Sequence, residues 1–464
     1  MFEASVYINR REKLEKSLSG GLLLFMGNSE SPMNYTDNVY PFRQDSNFLY
    51  FFGIDRPDLA AIIDLDEGKT ILFGNDLSLD HIVWMGPQPT IAEQAALCGV
   101  QNTAVYSKCA EYLKQAGKNG RNIHYLPPYR AENKIKLSRW LNKSIESVEQ
   151  GASIPFIKGV IPLASIKEEV EIAEIEKAVN ITGSMHVSTM MAAKAGMKES
   201  ELAGIAEGIA VSGGGNLAYP IILTVNGQTL HNHFHGNVLR SGQLVLGDFG
   251  AETPMHYAGD ITRTYPVDKQ FTNQQKEIYQ IVLDALETSL KALKPGLRYL
   301  DIHLGAARVI ANGLKALGLM KGAIDDAVAQ GAHAMFFPHG LGHMLGLDVH
   351  DMEDLGEDYV GYTEELKRST QFGLKSLRLA RTLEPGFVLT VEPGCYFIPE
   401  LIDRWEAENR FKDFICYDKL EAYRNFSGIR IEDNVLITEK GHRILGNPIP
   451  KTIEEVENIR RGLR

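Results

Sequence analysis

The sequence predicts a two-domain α+β protein: a smaller α/β domain over residues 1–158, then a larger domain over residues 163–464 built around a curved sheet. Three observations lead there. The chain has 464 residues, more than one hydrophobic core commonly fills. The stretch Gly151 to Pro162 (GASIPFIKGVIP) carries glycine and proline with little periodicity, and reads as a linker. Beyond it, acidic residues stand at the ends of short apolar runs, which puts carboxylates at strand ends.

In the first domain, Tyr50 to Ile54, Ala60 to Asp64 and Thr70 to Phe73 are apolar runs closed by turn residues, and read as strands. Asp64 to Gly68 (DLDEG) is a hairpin turn between the last two. After the linker, Ser165 and Glu168 have the spacing of a capping box, and Ile172, Ile175 and Val179 follow at helical spacing. A second helix covers Gln274 to Leu293, with Ile278, Ile281, Val282 and Ala285 on one face. A third covers Tyr299 to Leu317 and carries Leu300, Leu304, Ala307, Val309 and Leu314. The tail repeats the device, with Thr452 and Glu455 as caps and Ile453, Val456 and Ile459 as the stripe.

Hydrophobic content of 44% and charged content of 23% fit a soluble globular protein. A net charge of −11 with no basic cluster argues against a nucleic-acid partner. The four cysteines (Cys98, Cys109, Cys395, Cys416) form no CxxC pair and suggest reduced thiols. The apolar run Leu22 to Met26 is too short and too late for a secretory signal, and no stretch approaches the ~20 apolar residues of a membrane span. The expectation is a cytoplasmic protein with no membrane partner.

The chemistry lies in the second domain. Asp248, Asp260, His343, Glu392 and Glu432 fall in LVLGDFG, YAGDITRTYPV, FFPHGLGHMLGLDVHD, LTVEPG and GIRIEDN. Alternate residues of a strand share a face, so Thr390 points with Glu392, Arg430 with Glu432, and Asp260 with Thr262 and Thr264. Four clustered carboxylates repel strongly unless some protonate or cations join them. Two divalent cations would balance the charge, and a water held between them would have a lowered pKa and be a ready nucleophile. Oxygen ligands with one imidazole suit a fairly hard cation such as Mn²⁺, with Co²⁺, Zn²⁺ and Fe²⁺ also compatible.

His339 and His343 are four residues apart, as in a helical HExxH zinc site. Gly340, Gly342 and Gly346 argue against a regular helix there, and the glutamate of that motif is absent. His231, His233 and His235 alternate in LHNHFHGN; the reading is one functional histidine and two facing solvent or the loop.

FRQDSNFLYFFGI, YAGDITRTYPV, PHGLGHMLGLDVHD, LEPGFVLTVEPG and GIRIEDN together resemble the aminopeptidase P and prolidase family, the Xaa-Pro-cleaving "pita-bread" metallopeptidases. The resemblance spans nearly the whole chain. It implies a pita-bread catalytic domain with a curved antiparallel sheet, and a metal-bridging hydroxide that attacks the carbonyl before proline. Asp248 would chelate one metal, Asp260 and Glu432 would bridge both, and His343 and Glu392 would complete the other shell. Glu392 would also accept the proton of the nucleophilic water. His231 and His350 would hold the scissile carbonyl and its oxyanion, His339 would line the pocket, and Arg430 would orient Glu432. Trp84, in HIVWMG, matches a position that can reach a neighbouring subunit's proline pocket, which implies a homodimer or larger.

Two branches of the family remain open. The segments between His350, Glu392 and Glu432 are long, as in eukaryotic-type prolidase, and Arg378 matches an arginine that holds a dipeptide's free carboxylate. The YFFGI segment is closer to aminopeptidase P, which trims longer peptides. The alternative from another class is a catalytically inactive pita-bread binding protein. A metal-free relative acting on a guanidino compound and a methionine aminopeptidase are further rivals.

Overall fold

The computed structural model describes residues 1–463. The chain divides into two compact units, Met1–Ala164 with Met352–Tyr359, and Ser165–Asp351 with the chain from Val360 onward.

The first unit holds a five-stranded mixed sheet. Leu22–Met26 lies between Ala60–Asp64 (antiparallel) and Ile123–Tyr125 (parallel). Lys69–Phe73 pairs with Ala60–Asp64 through the expected hairpin, and Asn102–Ala104 closes the far edge. One face packs Leu22, Leu24, Ile62 and Phe73 against Leu113 and Leu137 of flanking helices.

The expected strand Tyr50 to Ile54 is instead the end of a helix, Ser46–Phe52. Asp45 caps it by accepting from the Phe48 N–H at 2.9 Å, and Gly53 ends it in the left-handed conformation (φ +67°). All of Phe48–Phe52 is buried, so no polar position betrays the period. The linker reading fails similarly. Ile154–Ser165 is a helix that contains Pro162, and Gly159 sits where a Cβ would lie 2.6 Å from Ser17 Oγ. Ser165 therefore ends one helix, and the capping box of the next is formed by Glu168 and Glu171, opening the helix Glu169–Ala192.

The second unit is antiparallel throughout its sheets among the described residues. Leu244–Phe249 pairs on one side with Ile261–Pro266 and on the other with Ile222–Thr224. Val388–Val391 pairs with Asp433–Ile437, which pairs with His442–Ile444, and Gly394–Tyr396 pairs with Gly428–Arg430. Thr264 joins two of these pieces, donating from Oγ1 to the Arg430 carbonyl at 3.0 Å. The helices Asn273–Ala292 and Tyr299–Ala316 cover this layer. The second helix buries a face one step from the expected one. Ile302, His303, Ala306, Ala307, Ile310 and Leu314 are inside, while Leu300, Leu304 and Val309 are half-buried. A buried histidine and small alanines hide that face from a hydrophobic pattern. The tail helix Ile453–Arg461 carries the expected Thr452–Glu455 capping box.

Candidate metal centre

Each acidic group is delivered by the end of a different strand. Asp248 is the penultimate residue of Leu244–Phe249, and Asp260 immediately precedes Ile261–Pro266. Glu392 follows Val388–Val391, and Glu432 sits between Gly428–Arg430 and Asp433–Ile437.

Asp260, His343 and Glu432 are buried and each offers an oxygen or nitrogen within 4.8 Å of the others. His343 Nε2 lies 3.3 Å from Asp260 Oδ2 and 3.5 Å from Glu392 Oε1. Its Nδ1–H donates to the Met344 carbonyl at 2.9 Å, which aims Nε2 at the acids. Glu392 is anchored by its backbone N–H on the Leu341 carbonyl at 2.8 Å. Asp248 stands at the other side, joined to Asp260 through the Tyr219 hydroxyl, which contacts a carboxylate oxygen of each.

Arg430 is buried and reaches three partners. Its guanidinium pairs with Asp248, donates from Nε to Thr262 Oγ1 at 3.1 Å, and donates from a terminal nitrogen to Tyr396 Oη at 2.7 Å. Thr262 in turn donates to Glu432 Oε2 at 2.7 Å. The arginine's own carboxylate partner is thus Asp248, and it acts on Glu432 through a threonine.

The charge balance of this cluster is unequal. Burial, reinforced by Asp260, Glu392 and Asp248, pushes the Glu432 carboxyl well above its ordinary value. Burial also raises Glu392, to about 7, with the neighbouring aspartates adding and His343 opposing. Burial raises Asp248 too, against the pull of Arg430. Only Asp260 is held low: burial opposes it, but the hydrogen bond and charge of His343 prevail. Glu432 Oε1 is buried with no hydrogen-bond partner. An orphaned carboxylate oxygen beside an aspartate and an imidazole is what a metal ion satisfies, so these residues fit a divalent-cation site.

The remaining expected residues fall as follows. His350 is half-buried, its ring 4.4 Å from that of His343 at 73°. Between Phe337 and Asp351 the backbone is irregular, so His339 and His343 share no helical face. Burial beside Arg430 holds His339 neutral, with its pKa lowered to about 3. Its Nδ1–H therefore donates to the Gly340 carbonyl (2.8 Å) while Nε2 accepts from Tyr396 Oη (2.8 Å). His231 and His233 are exposed, whereas His235 is tied to the Ile221 carbonyl at 3.1 Å. Partial burial lowers the His231 pKa, with Arg430 and Arg378 adding and Asp248 opposing, so these charges lie within its reach. Arg378 is half-buried in coil just after the single turn Leu374–Ser376. Trp84 is 84% exposed on the helix Leu79–Met85, none of whose residues is buried.

Tyr219 and Tyr396 were invisible as site residues in the sequence, and Thr262 was marked only by strand alternation. A hydroxyl carries no metal-ligand signature, and only Thr262 shared a strand face with an expected ligand.

Residues 173–439 match Metallopeptidase family M24, and residues 7–124 match the aminopeptidase P N-terminal domain. The chain is 32% identical to an Xaa-Pro dipeptidase of Rattus norvegicus, covering 97% of this chain and 92% of that protein. It is 33% identical to an Xaa-Pro aminopeptidase of Escherichia coli (strain K12), covering 97% and 96%. The solved structure of aminopeptidase P from E. coli with the inhibitor Pro-Leu superposes with a TM-score of 0.81 at 31% identity, covering 99% of each chain.

Proposed function

The chain belongs to metallopeptidase family M24 and is a metal-dependent exopeptidase that cleaves Xaa-Pro bonds, and from that premise we propose how its own residues divide the work. Asp248, Asp260, His343, Glu392 and Glu432 hold two divalent ions, of which Mn²⁺ suits so oxygen-rich a set. The observation that carries this assignment is the orphaned Glu432 oxygen beside Asp260 and His343. When bound, the ions supply Lewis-acid polarisation of the scissile carbonyl and a water of lowered pKa.

The protein's part is proton handling, positioning and charge. Glu392, whose Oε1 lies 3.5 Å from His343 Nε2, would take the proton of the attacking water and return it to the departing proline nitrogen. His350, against the ring of His343, and His231, at the exposed rim, donate to the developing oxyanion. His339 keeps a neutral, fixed ring at the pocket wall. Arg430 fixes Asp248, and through Thr262 it fixes Glu432. A proline ring fits this chemistry because no step needs an N–H on the leaving nitrogen.

The finer choice is between splitting Xaa-Pro dipeptides and releasing Xaa from longer peptides. Half-buried Arg378 matches the arginine that holds a dipeptide's free carboxylate in the prolidase branch, which supports a carboxylate clamp for the dipeptide's C-terminus and hence a dipeptidase. Whole-length likeness is shared by both branches, 32% to a dipeptidase and 33% to an aminopeptidase. Hydrolysis of Xaa-Pro and Xaa-Pro-Yaa by Mn²⁺-loaded protein, beside a chelated control, separates them. Cleavage of the dipeptide alone, lost in R378M, sustains the clamp, and efficient cleavage of the tripeptide sinks it. The exposed Trp84 helix supports a homodimer or larger assembly; light scattering that finds W84A and the parent both monomeric would refute it. The four free cysteines support a reducing compartment, the cytoplasm; fractionation that finds the protein outside it would refute that.

A further inference from the structure

His350 stands at the end of an irregular loop, with neither helix nor strand to hold it. The Met344 carbonyl closes that loop, accepting both the His343 Nδ1–H (2.9 Å) and the Asp351 N–H (3.1 Å). The Gly346 carbonyl accepts from the Ala258 N–H at 2.9 Å, tying the loop to the approach to Asp260. Asp351 is buried. One oxygen accepts from the Asp348 N–H at 3.3 Å, and the other meets Lys167 Nζ at 2.8 Å. Gly346 leaves room for this carboxylate, since a Cβ there would lie 2.6 Å from it. Lys167 is itself buried, and its backbone N–H donates to the Gly386 carbonyl at 2.8 Å, just before the strand that delivers Glu392.

A buried ion pair is a poor device for stability alone, because well-packed apolar residues do as well without the desolvation. What it does provide is a fixed direction between two points of the chain. We propose that the Lys167–Asp351 pair is the positioning element for His350: it locks the residue after the histidine to the segment that leads into Glu392, and so holds the imidazole against His343. The inference rests on the reading of His350 as an oxyanion donor. Lys167 and Asp351 touch no substrate; they act through the loop.

The test is a set of full-length, Mn²⁺-loaded variants assayed on whichever Xaa-Pro peptide the parent cleaves: K167M, K167R, H350A, K167M/H350A and K167M/D351N. K167M/D351N leaves no lone buried charge, which guards against simple misfolding. The expected result for K167M and K167M/D351N is a kcat about 10- to 100-fold lower, with bound metal unchanged and KM within about 3-fold. K167M/H350A is expected to be no slower than H350A, because the lysine has nothing left to position, and K167R to recover most of the rate. Losses that multiply in the double variant would overturn the proposal. So would a parent-like kcat in K167M/D351N with only a lowered melting temperature, which would leave the pair a stabilising role. A parent-like kcat in H350A would instead remove the His350 reading, whatever the lysine does.

Discussion

Two buried acidic clusters, one in each unit, solve the same problem in opposite ways. In the first unit, Asp64 at the end of its strand is 1% exposed and fully answered by the protein. Arg121 pairs with it, the Tyr112 hydroxyl donates to it, and the backbone N–H groups of Asp66 (3.2 Å) and Glu67 (2.9 Å) close the turn around it. Burial would raise this carboxyl, but these donors hold it below its ordinary value. In the second unit, four carboxylates share one arginine and one histidine, and three of the four are pushed up. The first cluster is answered by the protein's own donors; in the second, the carboxylates outnumber the cationic side chains beside them. The distinction rests on counting donors and needs no knowledge of the family.

The difference can be broken most forcefully by chelation. Stripping divalent ions should abolish Xaa-Pro hydrolysis, a loss on the order of 10³-fold or more if the ions supply several kcal/mol of transition-state stabilisation. Mn²⁺ should restore it. Activity that survives exhaustive chelation, with metal analysis confirming removal, would show that the second cluster needs no added cation. A smaller effect should follow R430M, which takes away the guanidinium that fixes Asp248. Metal affinity measured by calorimetry should fall about 10- to 100-fold, and an unchanged affinity would make Arg430 a bystander.

Third, the first cluster should behave as structure only. D64N should lower stability by about 1–3 kcal/mol, since it strips a charge partner from Arg121, and leave kcat untouched. Denaturant melts and kinetics on one preparation decide, and a fall in kcat without a fall in stability would contradict the assignment.

The smallest effect is a contrast in pH. The Glu392 value, about 7, lies above the ~4.3 of an unfolded chain. The metal-free native state thus binds a proton that the unfolded state releases, and its stability rises as pH falls from above 7 toward ~4.3. Asp64 is shifted the other way. Its contribution is fully present above the unfolded value of ~3.9 and is lost only as pH falls further, through its depressed folded value. Between pH 8 and 5, the chelated protein should therefore melt at least about 2–4 °C higher at the acid end, and E392Q should reduce that slope, leaving the part that Glu432, also raised, supplies. A flat profile in the parent would mean that Glu392 is not raised.

Much of the candidate site was legible because its acidic residues and His343 carry distinctive words around them. Asp260, His343 and Glu432 meet as expected, and Thr262 was readable from strand alternation. What sequence could not supply was the neutral middle of the network. Tyr219 joins two aspartates and Tyr396 joins Arg430 to His339, yet a tyrosine in a strand or loop is ordinarily just core. The misread elements share another cause. Phe48–Phe52 is buried all round, and the Ile154–Ser165 helix contains both Gly159 and Pro162. Periodicity is silent in the first case and breaker residues mislead in the second; Asp45 does cap the first helix, whereas Ser165, read as a cap, ends the other.

Glu432 meets Thr262 across 170 positions of chain, through its side chain and again where its N–H donates to the Thr262 carbonyl at 3.1 Å. A contact of that span forms late, because the closure entropy of so long a loop must be overcome first. During synthesis Asp248, Asp260 and His343 emerge long before Glu432, so a partly made chain carries an incomplete acidic cluster. A site that depends on Glu432 is therefore complete only once Gly428–Arg430 and Asp433–Ile437 have joined their sheets.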